Sequence, residues 1–256
     1  PMEIAPLPGG NFEVKGKYEV DPDNKTCECP DYEHREIECK HIARVTLELM
    51  WENISRLDEQ GRPPKPEVIE PEFESVPRLL KSMDHWVCWE QKIHENKDGT
   101  QRWTKVPIDV HTGSFASSTD SDTWTDFESA KAYCQDDSNS TCGIGFCVNE
   151  DDALVGIDFD DCRDPVSGDI DETVKTALDH MATYAEVSPS GTGVRAFALG
   201  ELTTESNQAD LTDEAHVEVY EFGRYLTVTG QQIGPVGDVQ WDETGIEMVE
   251  DMVRDD

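Results

Sequence analysis

The chain has 256 residues, 36% of them hydrophobic, enough for one substantial core and a small module held another way. Lys plus Arg number 21 against 56 Asp plus Glu, a formal charge of 21 − 56 = −35. No run approaches 18 apolar residues, the N-terminus lacks a charged-then-apolar pattern, and Cys88, Cys134, Cys142, Cys147 and Cys162 are scattered. These features suggest neither membrane insertion nor secretion and argue against a disulfide framework, and the expected location is cytoplasmic.

The acids are spread along the chain rather than gathered in a tail. This suits either a DNA-mimicking protein or the hydrated surface of a halophilic archaeon's protein, where molar salt screens self-repulsion within about 3 Å. Scarce lysine and recurring Asp-rich loops (Asp120, Asp122, Asp126; Asp136, Asp137) favour the second. The total charge then says little about partners, and local residues must decide.

From Asn11 to Val20 the alternation of Phe12, Val14, Tyr18 and Val20 predicts a β-hairpin around Gly16. Next come Cys27-x-Cys29, nine residues, and Cys39-x-His41, three thiolates and an imidazole suited to a closed structural zinc site. His34 is the spare candidate ligand. Ile42, Val45, Leu49 and Met50 recur at helical spacing, so His41 should open a helix ending near Leu57. A module this small depends on its metal, whose binding free energy becomes folding free energy.

Residues 61–77 carry five prolines and several glutamates, which predicts a semi-rigid linker between a module at 1–60 and a larger domain at 78–245. In that domain, strands are expected at 85–91, 102–108, 143–148, 153–159, 184–187, 194–199, 216–220 and 225–229, and helices at 126–134 and 170–181. Residues 246–256 look like the start of a further helix or linker, as in a fragment of a longer protein. Strands outnumber helices and short turns join several of them. The expected class is α+β, a small zinc-stabilised ββα module followed by a mixed, largely antiparallel sheet with flanking helices.

Three segments of the larger domain carry chemistry. An apolar run delivers Asp158 and Asp160 at i and i+2, on one face of a strand, where two like charges call for a divalent cation such as Mg²⁺ or Mn²⁺. Ser188-Pro-Ser190-Gly191-Thr-Gly193-Val-Arg195 offers hydroxyls, amides and a guanidinium to a triphosphate, or is a plain Pro-Gly turn. Glu218 adds a third carboxylate on a short strand, with Glu221, Asp161 and Tyr220 as further candidates and Arg224 as a cation. Upstream, Arg102 and Lys105 are candidate template or phosphate contacts; Trp86, Trp89, Trp103 and Trp124 suit a core better than base stacking.

The cysteine pattern, between a strand pair and a helix opening on Cys-Lys-His-Ile, resembles the SWIM zinc finger over residues 11–50, a class associated with DNA or protein binding. The acidic strand, the Ser-Gly-x-Gly segment and the later acidic and Gly-Arg-Tyr strands, in that order, resemble the primase-polymerase domains of the archaeo-eukaryotic primase superfamily over residues 80–235. That resemblance implies an RRM-like catalytic core of a DNA replication enzyme of plasmid, viral or mobile-element type. Asp158, Asp160 and Glu218 would bind two catalytic metals, and Ser188, Ser190, Gly191, Gly193, Arg195 and Arg224 would hold the nucleotide. DNA template and nucleoside triphosphates are the implied partners, with a replicative helicase as a further one. One departure is Arg195, which stands where the family has a nucleotide-contacting His. The alternatives are a catalytically degenerate nucleotide- or DNA-binding module and a metal-dependent nuclease.

Overall fold

The computed structural model describes residues 4–7, 11–22, 24–30, 32, 39–46, 62–97, 99–204, 206–212 and 214–254. The chain divides into two compact units: Pro1–Pro64 with Glu95–Arg102, and Lys65–His94 with Trp103–Asp256. The architecture is mixed α+β with antiparallel sheets and few helices, as expected. Among the described residues no helix is long and apolar enough to cross a membrane.

The first unit is a four-stranded antiparallel sheet, β1 (Ile4–Pro6), β2 (Phe12–Val14), β3 (Tyr18–Asp21) and β4 (Thr26–Cys27), followed by a helix, α1 (40–46). Lys15 and Gly16, both at positive φ, turn the chain between β2 and β3, where the expected hairpin tip lies. Among the described residues, Val14, Val20, Ile42 and Val45 form its buried core with three cysteines. The expected helix beyond residue 46 and the spare ligand His34 fall outside the described residues.

The second unit holds two sheets. The larger has the order β11-β12-β8-β10-β9-β14, built from β8 (Leu154–Asp160), β9 (Tyr184–Val187), β10 (Val194–Leu199), β11 (Gln208–Asp210), β12 (His216–Tyr220) and β14 (Gln232–Ile233). The smaller has the order β13-β7-β5-β6, from β5 (Trp86–Glu95), β6 (Gln101–Ile108), β7 (Gly143–Cys147) and β13 (Tyr225–Val228). The helices are the short α2 (Arg78–Lys81), then α3 (Phe127–Cys134), α4 (Glu172–His180) and α5 (Glu243–Arg254).

The alternation of side chains along each strand divides the larger sheet into two unlike faces. Ile157, Phe159, Val194, Ala196, Val217 and Val219 share one face and bury against Val174 and Ala177 of α4 and Ile246, Val249 and Val253 of α5. On the other face Leu154, Tyr184 and Phe197 join Trp86, Phe146, Leu226 and Val228 of the smaller sheet and Phe127 of α3. Phe146 and Phe197 meet edge to face with centroids 6.1 Å apart. Gly156 is the point of closest approach, since a Cβ there would collide with the Leu226 side chain.

Trp86 and Trp89 are fully buried and Trp124 nearly so, which makes them core residues, whereas Trp103 is half-buried with the Lys65 ammonium 6.0 Å from its ring. From Lys65 onward the proline-rich segment belongs to the second unit. Pro66 O accepts from Gln91, Ile69 N–H donates to Pro189 O at 2.9 Å, and Glu72 N–H donates to Thr229 O at 2.7 Å. Proline removes donors but leaves carbonyls and the intervening amides; here a carbonyl accepts from a side chain and two amides donate to neighbouring backbone.

Candidate metal centres

In the first unit the β3–β4 pairing sets Cys27 opposite Val20, and α1 carries His41 two residues after Cys39. The ligand atoms of Cys27, Cys29, Cys39 and His41 all lie within 4.8 Å of one another, and all four residues are buried. His41 Nδ1 is 3.8 Å from Cys27 Sγ and 3.9 Å from Cys39 Sγ. A tetrahedral zinc with ordinary Zn–S and Zn–N lengths has S···N edges of about 3.6 Å, so the donor set and its spacing fit a structural zinc.

In the second unit the register brings distant residues into one row. Glu218 pairs with Asp158, Asp158 with Arg195, and Arg195 with Glu186, so β12, β8, β10 and β9 each place one charged residue on the same face. Gln208 and Gln232 complete the row on the outer strands. One step toward the open end, His216 pairs with Asp160. One step inward lie Gly156, Phe197, Tyr184 and Tyr220, against the smaller sheet.

Depth therefore grades along β8, with the Asp158 side chain 5% exposed, Glu218 19% and Asp160 41%. Carboxylate oxygens of Asp158, Asp160 and Glu218 lie within 4.8 Å of one another. Burial, and then the neighbouring Asp158, raise the pKa of Asp160. A cation would offset both the burial and the repulsion. The donor set, three hard carboxylates of graded exposure, fits Mg²⁺ or Mn²⁺.

The cations around the row are not equivalent. Arg195, expected to face a triphosphate, turns inward: it is 4% exposed, and its Nε and Nη2 donate to Asp158 Oδ1 and Oδ2 at 3.0 and 3.1 Å. Its Nη1 donates to the carbonyl and the hydroxyl of Thr227 on β13. Burial alone would lower its pKa, but Asp158 beside it raises it on balance. Arg224 donates to Glu218 Oε2 at 2.8 Å from a half-exposed position over the Tyr220 ring. Lys105 is half-buried on β6; burial and then Arg195 lower its pKa, while Asp158, Asp160 and Asp161 oppose that.

The Ser-Gly segment also differs from a cradle of open amides. Gly191 N–H donates to Ser188 O, Gly193 N–H to Ser188 Oγ, and Ile69 N–H to Pro189 O. Ser188 is buried, and a Cβ at Gly193 would sit 2.6 Å from Phe159 O, so this glycine is needed for strand approach. Gly191, at φ 79°, makes the turn. Ser190 and Thr192 Oγ atoms, 2.9 Å apart, remain at the surface, and Thr192 lines a cavity of about 380 Å³ with Asp161, Arg163 and Glu214.

Three residues enter the site that sequence reasoning missed. Glu186 is fully buried beside Arg195 and accepts from Tyr184 Oη and the amides of Thr229 and Gly230. Burial raises its pKa against those donors. His216 lies 4.0 Å from Asp160 and lines a cavity of about 290 Å³ with Gln208, Asp210 and Glu218. Its signal was available, since it stands two residues before Glu218 on the same strand face. Arg163, whose Nη1 donates to Gly191 O at 2.7 Å, could be found only through the fold.

Comparison with known proteins agrees with both resemblances. Residues 18–49 match the SWIM zinc finger model, a span that contains all four zinc ligands. A DNA primase-polymerase of Nitratiruptor phage NrS-1 is 32% identical over 155 residues, which is 60% of this chain and 20% of the relative. The chain thus spans about a fifth of the length of the curated relative it matches. The aligned stretch is longer than residues 1–64 and so includes part of the second unit.

Proposed function

We propose that the second unit is a DNA-directed nucleotidyltransferase of primase-polymerase type, acting in replication, with Asp158, Asp160 and Glu218 as its metal-binding carboxylates. The observation that carries this reading is the convergence of these three acids from β8 and β12 in a chain similar to a primase-polymerase. Divalent cations held there would neutralise the reacting phosphate and ease loss of the attacking hydroxyl's proton. Asp160, the most exposed of the three, faces incoming phosphate, while Asp158 anchors the site from below.

Lys105, the Ser190 and Thr192 hydroxyls and Arg163 are the groups left to meet the triphosphate, because the Gly191 and Gly193 amides are already engaged. Arg224 is exposed, so it can leave Glu218 for a phosphate when a cation takes its place. The zinc module, stabilised by Cys27, Cys29, Cys39 and His41, would recruit template or a replication partner such as a helicase.

Labelled nucleotide incorporation on primed and unprimed single-stranded templates, with Mg²⁺ or Mn²⁺ at low and high salt, tests this. Extension by the wild type is expected. Asp158→Asn, Asp160→Asn and Glu218→Gln should each lower it by about a hundredfold or more. Full extension by Asp158→Asn, or template cleavage in place of extension, would sink the reading.

A further inference from the structure

We infer that Arg195 is a positioning residue for the metal centre and not a nucleotide contact: its guanidinium clamps the Asp158 carboxylate in the one orientation that serves Asp160 and Glu218. This rests on the reading of those three acids as the metal site. Four observations carry it. The Arg195 side chain is 5% exposed, so its guanidinium is not open to a nucleotide from solvent. The paired contacts at 3.0 and 3.1 Å are the parallel fork geometry that fixes a carboxylate plane as well as its place. The third nitrogen, Nη1, is held by Thr227 O and Oγ1 on the other sheet, so the guanidinium cannot rotate away while β13 stays docked. Finally, Glu186 stands opposite Arg195 in register, fully buried and tied to Tyr184, Thr229 and Gly230. The guanidinium therefore lies between two buried carboxyl groups.

A chemical consequence follows for the carboxylate. Asp158 gives one direction of each oxygen to Arg195, so a cation meets it only through the directions facing Asp160 and Glu218. Lysine keeps the charge at this position but has no planar fork, so it can neutralise Asp158 without orienting it. A nucleotide-binding cation and a clamp are thereby separable.

The test compares wild type, Arg195→Lys and Thr227→Val by steady-state extension of a primed template with Mn²⁺. Mn²⁺ binding without nucleotide is followed by electron paramagnetic resonance, and thermal melting verifies folding. For Arg195→Lys the clamp requires kcat to fall about tenfold or more with the nucleotide KM within about twofold, and Mn²⁺ binding to weaken in parallel. Thr227→Val, which keeps the Thr227 carbonyl contact, should show the same pattern at about threefold, and it decides the matter if Arg195→Lys does not fold. A raised nucleotide KM at unchanged kcat, or Mn²⁺ binding equal to wild type in both variants, would overturn the inference. If the wild type incorporates no nucleotide, the polymerase reading fails, and the Mn²⁺ titrations alone still decide the clamp.

Discussion

Asp158 and Asp160 sit two positions apart on one strand, yet the fold gives them different surroundings. Asp158 is clamped and buried, and Asp160 is open and opposed by His216. Removing one partner of such a buried pair leaves a charge without compensation. Arg195→Met should therefore cost about 3–5 kcal/mol of stability in the second unit, read by denaturant unfolding, whereas exposed Arg224→Met should cost less than about 1 kcal/mol. Glycine at 193 has a similar standing. Its Cβ would press on Phe159 O, which is sheet backbone and cannot swing aside, so Gly193→Ala should lose about 1–3 kcal/mol.

Among the elements, α3 shows how local chemistry sets a boundary. Asp126 caps it by accepting from the Ser129 amide at 2.9 Å and the Ser129 hydroxyl at 2.6 Å, and these bonds, the hydroxyl first, hold its carboxyl below the usual aspartate range. A carboxyl with a lowered folded pKa stabilises the fold above the unfolded value, and that contribution is lost as pH falls through the folded one. Asp126→Ala should thus cost about 1 kcal/mol at pH 7, with the gap to wild type narrowing below the ordinary aspartate range; urea unfolding at both pH values measures it. The strap 65–72 is an element of another kind, held by the Gln91 side chain at Pro66 O, by backbone bonds at Ile69 and Glu72 and by a glycine at φ 71°. A Cβ at Gly230 would meet Glu72 O, so Gly230→Ala should loosen the strap, seen as faster amide exchange at Ile69 and Glu72.

For the whole molecule, two kinds of stabilisation operate in two units. Among its described residues the first has a core of a few aliphatic side chains around the thiols, so its folding is expected to depend on metal. One zinc per chain is expected by elemental analysis. Chelation, or Cys39→Ser, should remove a separate unfolding transition and leave that of the second unit in place. The charge of −35 acts on both units through self-repulsion. If its acids are an adaptation to molar salt, the melting temperature should rise as KCl is raised from about 0.1 to about 1 M, where the screening length falls from roughly 10 to roughly 3 Å.

The amino-acid order by itself determined what is local. The Cys-x-Cys and Cys-x-His pairs, the Asp158/Asp160 pair on one strand face, the hairpin turn at Lys15–Gly16 and the start of α3 all depend on residues within a few positions of one another. Chain stereochemistry suffices to bring such groups together. Only the tertiary structure decided the rest. Arg195 reads as a surface cation beside a glycine turn until β8 and β9 flank β10 and β13 closes over it. Glu186 and His216 become site neighbours only through strand register, which is set by packing the apolar rows of Ile157 and Phe159 against α4 and α5. A slip of one residue would have turned the same side chains to the opposite face. The charged row across β12, β8, β10 and β9 thus follows from burying its hydrophobic counterpart.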